Sequence, residues 1–276
     1  MTVQPTGPRT QWMQAQFERA LRAFGLVVDG RLVPGVAGRT LSGRVADPVS
    51  GGARWLRVLA VPAERACGAL WYGPITAPAI PGLSRPALLA TETWADREQS
   101  VRAEVWELVD EPACAPHETL TPRRARQLRL STAWWTSLET SLDRLARHRT
   151  DRVPRTQEQI TAVMRRAYGP GVPTRVRRWA VQHGDLRWTN LTAHTPYLLD
   201  WEFWGLAPVG ADAATLMCTS LLVPELAADI HRRFAHLLDT PDGRIAQLCV
   251  IVQLRRHPDI GDLDQPLAAL AHRLSR

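Results

Sequence analysis

The first regular pattern in the chain is helical. Across 10–24 (TQWMQAQFERALRAF), Met13, Phe17, Ala20, Leu21 and Phe24 recur at spacings of three and four, which predicts an amphipathic helix. The period then shortens. RLVPGVA, GRTLSGRVADP and ARWLRVLAV are extended runs between Gly- and Pro-rich turns, and they predict at least three antiparallel strands over 31–61. ERACGALWYG (64–73) predicts one short helix. RPALLATETW and VRAEVWELVD predict two more strands, joined as a hairpin by the polar tip ADREQS. The acidic, Pro-rich stretch DEPACAPHETLTP reads as a linker between a front region, 1–110, and a back region, 111–276.

Beyond the linker the pattern is helical. Trp134, Leu138, Leu142 and Leu145 share one face of a predicted helix over 122–147, and a second helix is expected from about 156 to 168. Short strands follow at WAVQ, NLTA and YLLDW. Four helical segments then run from 210 to the end. A strand-rich front before a helix-rich back predicts an α+β fold with two lobes, not a doubly wound sheet.

Composition narrows the class. With 276 residues, 45% hydrophobic and 22% charged, the chain can bury one large core or two small ones. The most apolar stretch, ADAATLMCTSLLVPELAA, is broken by Asp212, Pro224 and Glu225, so no membrane span is expected. The opening MTVQPTGPRTQ lacks the apolar core of a signal peptide. Cys67, Cys114, Cys218 and Cys249 are scattered, which suits unpaired thiols in a reducing compartment, and a cytoplasmic location is expected. All 34 basic residues are Arg. Without Lys, a phosphate loop ending in Lys and a lysine Schiff base are both excluded. Residues 1–200 carry 27 Arg against 18 acids, and 201–276 carry 7 against 9. The basic front and the 11 Trp raise nucleic-acid binding, but the Arg are spread along the elements and no nucleic-acid motif accompanies them, so no such partner is expected.

The chemistry concentrates in 181–202, VQHGDLRWTNLTAHTPYLLDWE. Asp185, Asn190 and Asp200 stand among apolar runs that read as strands. They could cap and turn a hairpin. They also match what phosphoryl transfer needs: a carboxylate to accept a hydroxyl proton, and hard oxygen donors for Mg²⁺. In that reading Asp185 is the base, and Asn190 and Asp200 hold the metal.

HGDLRWTN followed by LLDWE resembles the aminoglycoside phosphotransferase family, relatives of the protein kinases, as does PVGADAATL further on. The resemblance is strong over 181–216 and weak before 110. It implies a protein-kinase-like fold with a small antiparallel-sheet nucleotide lobe and a helical lobe. It implies ATP or GTP as co-substrate, Mg²⁺ as cofactor, and a hydroxyl on a small molecule as acceptor. An aminoglycoside-like antibiotic, a sugar or an amino alcohol would each qualify, and the oligomeric state stays open. Residue by residue, it makes Asp185 the catalytic base, Asn190 and Asp200 the Mg²⁺ ligands, His183 a support for the loop backbone, and Asp212 a brace from the following helix.

Some positions depart from the family. Arg187 replaces a usual His, and Trp188 follows it. The family grips the nucleotide phosphates with a strand Lys paired to a helix Glu; here Arg57 is the best-placed substitute, and Glu64 is its expected partner. Arg is wider and planar, so the exchange is not conservative. Gly35, Gly38 and Gly43, with Arg39, Thr40 and Ser42 between them, could fold over phosphates, which makes Gly38, Thr40 and Ser42 nucleotide-site candidates. Backbone groups at Glu107 and Val109 are expected at the adenine edge. Trp201 and Trp204 could pack or stack on a ligand. The late acids, among them Glu202, Asp229, Asp239, Asp242, Asp259, Asp262 and Asp264, could face a cationic acceptor or simply serve helix ends. The missing Lys leaves a second reading, a pseudokinase-like nucleotide-binding or scaffolding protein without phosphotransfer.

Overall fold

The computed structural model describes residues 8–35, 38–116, 119–257 and 260–276. It forms two compact units. One is the chain up to Trp71 together with Pro86–Asp110; the other is Tyr72–Arg85 with Glu111–Arg276. The excursion 72–85 belongs to the second unit because its backbone is bonded there. The Ser84 carbonyl accepts from Leu198 N at 2.8 Å, and the Gly82 carbonyl accepts from Arg144 Nη1 at 2.7 Å. A contiguous division at 110 does not contain this excursion.

The first unit opens with helix α1 (Pro8–Phe24), whose Met13, Phe17 and Ala20 are buried at the expected spacing. Gly25, at φ 64°, ends it: Leu26 N bonds back to the Leu21 carbonyl at 2.9 Å, the glycine-dependent stop of a Schellman turn. Strands β1 (Val27–Pro34), β2 (Thr40–Ala46), β3 (Ala53–Pro62), β4 (Leu88–Asp96) and β5 (Gln99–Glu107) make one antiparallel sheet in the order β1-β2-β3-β5-β4. β1 starts four residues before the expected run and is exposed along nearly its whole length, as an edge strand can be. The region 64–73 is not one helix. It is a 3₁₀ turn, Ala63–Arg65, and then helix α2 (Ala69–Thr76).

Strand alternation gives the sheet two unlike faces. Leu41, Val45, Leu56, Val58, Ala60, Val101, Ala103 and Val105 pack with α1 in an apolar cluster. The intervening positions Ser42, Arg57 and Glu104 lie side by side on the other face, since Ser42 pairs with Arg57 and Arg57 with Glu104.

The second unit holds α3 (Pro122–Gln127), α4 (Thr132–Arg147), α5 (Gln157–Tyr168), β6 (Trp179–Gln182), β7 (Gly205–Pro208), α6 (Ala211–Cys218), α7 (Pro224–Leu238), α8 (Pro241–Leu254) and α9 (Asp264–Leu274). The expected helix 122–147 is broken at 128–131. Thr121 and Ser131 each cap a helix, accepting from Arg124 N and Trp134 N. NLTA and YLLDW contribute isolated bridges, Leu191 with Leu198 and Ala113 with Thr192, and not full strands. The true partner of β6 is GLAP, β7.

Trp134, Trp135 and Trp188 meet at the centre of this unit, with ring centroids 5.0–6.3 Å apart. Cys114, Cys218 and Cys249 are buried thiols; burial pushes Cys114 up to about 12 and Cys249 up to about 11. Among the described residues, no helix is long and apolar enough to cross a membrane.

Candidate active site

β6 delivers the chain to His183-Gly184-Asp185. Gly184 sits at φ 84°, and a Cβ there would run into the Phe203 carbonyl, so the turn needs glycine twice over. The loop is then pinned from α6. His183 N donates to Asp212 Oδ2 at 2.7 Å and Gly184 N to Oδ1 at 2.9 Å, while Asp212 N donates to Gln182 Oε1 at 3.0 Å. Both amides point at one buried carboxylate in the first turn of a helix, where negative charge is favoured.

The rest of the loop is built around Asp185. Arg187 Nε lies 2.6 Å from Asp185 Oδ1, and both side chains are nearly buried. Asn190 Nδ2 donates to the Asp185 carbonyl at 2.9 Å and to Oδ2 at 3.2 Å. With its amide nitrogen so engaged, the Asn190 Oδ1 is the atom left to act as a metal donor. Leu199 N donates to the Asn190 carbonyl at 2.9 Å, which brings Asp200 to within one residue of that contact. Asp200 is exposed and adopts φ 62°, a left-handed conformation that is uncommon outside glycine and is found at functional turns. Asn190 and Asp200 together offer the hard oxygen donors that Mg²⁺ takes, so the donor set fits this ion. Trp188, completely buried, locks the loop to the core by donating from Nε1 to Ser220 Oγ at 2.8 Å.

Burial drives two groups of the loop in opposite directions. The His183 imidazole, edge-on to Trp201 at 4.7 Å, is pushed down to about 4 by loss of water, against a raising backbone contact at Leu199. Asp212 is pushed up to about 6 by burial, against its two amide bonds. Their linkages to folding oppose each other. His183 contributes stability that is present above pH 6.5 and is lost as pH falls toward 4. Asp212 carries a cost above pH 6 that is recovered as pH falls toward 3.8. Asp212→Asn is therefore expected to lose stability relative to the parent as pH falls from about 6 to 4, and His183→Gln to gain it. Denaturant unfolding across that range checks both, and parallel profiles for all three proteins would refute the linkage.

In the first unit, Arg57 stands on β3 as the strand pattern predicts, with its side chain 15% exposed. Its acid is not Glu64, which lies exposed on the 3₁₀ turn. Glu104 of β5 stands directly opposite in the sheet, with Oε2 3.6 Å from Arg57 Nη1. Arg102, two positions earlier on the same face, is buried against Glu104 at 2.6 Å. Sequence reasoning missed both residues. The alternation of Arg102 and Glu104 with Val101, Ala103 and Val105 was the available signal: charge on one strand face and apolar residues on the other.

Thr40 and Ser42 project from the Arg57 face of β2, and Gly38 takes φ 63° just before that strand. Residues 36 and 37 of the Gly-bearing stretch lie outside the described residues. Glu107 N is taken by the Ala87 carbonyl at 2.8 Å, so that amide is not available to an adenine edge.

Trp201 and Trp204 are 3% exposed and pack in the core, not against solvent. The late acids mostly serve local partners. Asp229 holds Arg232 and Arg233, Asp239 holds His231, Asp264 holds Arg255, and buried Asp242 accepts from Arg177 N. Asp259 lies outside the described residues.

No protein-family model matches the sequence, and no curated protein matches it. Solved structures do. A Plasmodium vivax ethanolamine kinase superposes over 100% of this chain and 96% of its own, with a TM-score of 0.53 and 9% identity. A spectinomycin phosphotransferase crystallised with ADP and spectinomycin aligns over 94% of this chain and 93% of its own, with a TM-score of 0.43 and 10% identity. At 9% identity the first likeness speaks to fold alone, and it agrees with the five-stranded antiparallel sheet and the helical second unit. The chain has the protein-kinase-like fold found in small-molecule kinases.

Proposed function

We propose that this protein transfers the γ-phosphate of ATP or GTP to a hydroxyl of a small molecule, with Mg²⁺ as cofactor. The observation that carries the reading is the loop around Asp185: a carboxylate held by Asn190 and Arg187, on a backbone braced by Asp212, with Asp200 one residue from the Asn190 contact. Asp185 orients the acceptor hydroxyl and takes its proton as the new oxygen–phosphorus bond forms and the bond to the β-phosphate oxygen breaks. Arg187 balances the Asp185 charge and holds its oxygen in place. Asn190 and Asp200 would hold the Mg²⁺, which would supply positive charge to offset that of the nucleotide phosphates. Arg57 grips the nucleotide phosphates in place of a Lys, since a guanidinium can donate two parallel bonds to phosphate oxygens.

The acceptor class is a hydroxyl compound. An aminoglycoside-like antibiotic and an amino alcohol both belong to it, and the fold serves many acceptors. We place the enzyme in the cytoplasm, with no nucleic-acid or membrane partner. Calorimetric titration with ATP and with GTP, each with and without Mg²⁺, tests the reading. Binding that needs Mg²⁺ is expected, followed by ADP or GDP release in an acceptor screen. A folded protein that binds neither nucleotide would overturn the proposal and favour the pseudokinase reading.

A further inference from the structure

The second unit contains a cavity of about 900 Å³ that none of residues 183–200 lines. The catalytic loop follows the end of β6 at Gln182. The cavity instead reaches the chain that leads into β6, at Arg175 and Arg177. Its remaining walls come from the end of α6, from α7, from the first turns of α8 and from the end of α9. Its volume falls in the range of roughly 300–1,000 Å³ that small-molecule sites occupy.

The interior is apolar, with Met217, Leu221, Ile245, Leu248 and Leu270 as its walls. The polar groups among them are turned to the protein. Gln247 Nε2 donates to the Leu238 and Gly243 carbonyls at 3.0 and 3.2 Å, Thr240 Oγ1 donates to the Leu237 carbonyl at 2.7 Å, and Asp239 Oδ1 lies 2.9 Å from His231 Nε2. The buried part of an occupant would gain contacts for carbon and few hydrogen bonds.

The edge of the cavity carries one sign of charge. Arg175, Arg177 and Arg273 are exposed and stand at its mouth, with the half-buried Arg244 beside them. Arg244 donates from Nε to the Leu274 carbonyl. The side chains of Arg175, Arg177 and Arg273 make no hydrogen bond or ion pair among the described residues. The acid that lines the cavity is Asp239, and Asp242 near the mouth is taken by Arg177 N at 2.7 Å and by Arg178 at 3.4 Å. Arginines in excess of acids draw anions to the mouth and repel cations, and a guanidinium can give an oxyanion two parallel bonds.

We propose that this cavity is a second small-molecule site, for an amphipathic anion: an oxyanion head at the arginines and an aliphatic body in the apolar interior. It stands apart from the phosphotransfer reading and does not depend on it. The enclosed interior suits one free molecule, and the charge disfavours a polycationic antibiotic there.

The test is calorimetric titration of the full chain with octanoate, octyl phosphate, octanol, octylammonium and acetate. One or both of the octyl anions are expected to bind about tenfold tighter than octanol or octylammonium, and acetate, which lacks the body, not to bind. Arg175→Glu with Arg273→Glu changes two exposed side chains and is expected to remove that preference while leaving octanol where it was. Leu221→Trp narrows the interior and is expected to weaken the octyl anions and octanol together. No binding of either octyl anion overturns the proposal. So do equal affinities for the octyl anions and octanol, or a preference that survives the double charge reversal. Parent-like affinity for the octyl anions in Leu221→Trp would place the chain outside the cavity and overturn it as well.

Discussion

Asp185→Asn is expected to lower phosphotransfer by about a thousandfold and to leave nucleotide affinity nearly unchanged. Asn fills the same volume and still offers Asn190 an oxygen, so the loop keeps its shape while the proton acceptor is lost. The change also leaves the Arg187 guanidinium without the carboxylate 2.6 Å away, which adds an electrostatic cost inside a nearly buried site. Steady-state ADP release and calorimetric ATP titration separate the two effects. Substantial turnover in Asp185→Asn, above what the acceptor alone supports, would remove Asp185 from the role of base.

The second large effect is expected at Asp200. Asn is again the cleaner substitution, because Asp200 sits at φ 62° and Asn tolerates that conformation better than Ala does. Asp200→Asn is expected to abolish the Mg²⁺-dependent part of ATP affinity, about a hundredfold, and to leave the metal-free affinity where it was. Titrations with and without Mg²⁺ read this directly. An undiminished Mg²⁺ effect would show that the ion is held without Asp200.

The parts legible in the sequence are those coded by short separations. His183, Asp185 and Asn190 lie within eight residues, and their spacing alone brings a carboxylate and an amide to one loop. The α1 face and the β2, β3, β4 and β5 strands follow from local periodicity in the same way. What was hidden depends on register. Arg57 and Glu104 stand far apart in the chain and meet because β5, not β4, lies beside β3, and periodicity carries no information about strand order. Glu64 was the nearer acid in sequence, and nearness in sequence is a poor guide across a sheet. The break between α3 and α4 lies outside the apolar pattern that predicted the helix, since Trp134, Leu138, Leu142 and Leu145 all stand in α4; Ser131, three residues before the first core tryptophan, was the cue. GLAP is too short, and too Pro-bound, for a period of two to show at all.

The guanidinium on β3 also decides how this protein can be found. Acylating nucleotide analogues capture side-chain amines beside bound phosphates, and this chain has no Lys to offer them. Amine-directed profiling of nucleotide-binding proteins would leave the Arg57 position unmarked. A nucleotide carrying a vicinal dicarbonyl, which condenses with guanidinium, is the matching reagent, and Arg57 is where the label should be sought.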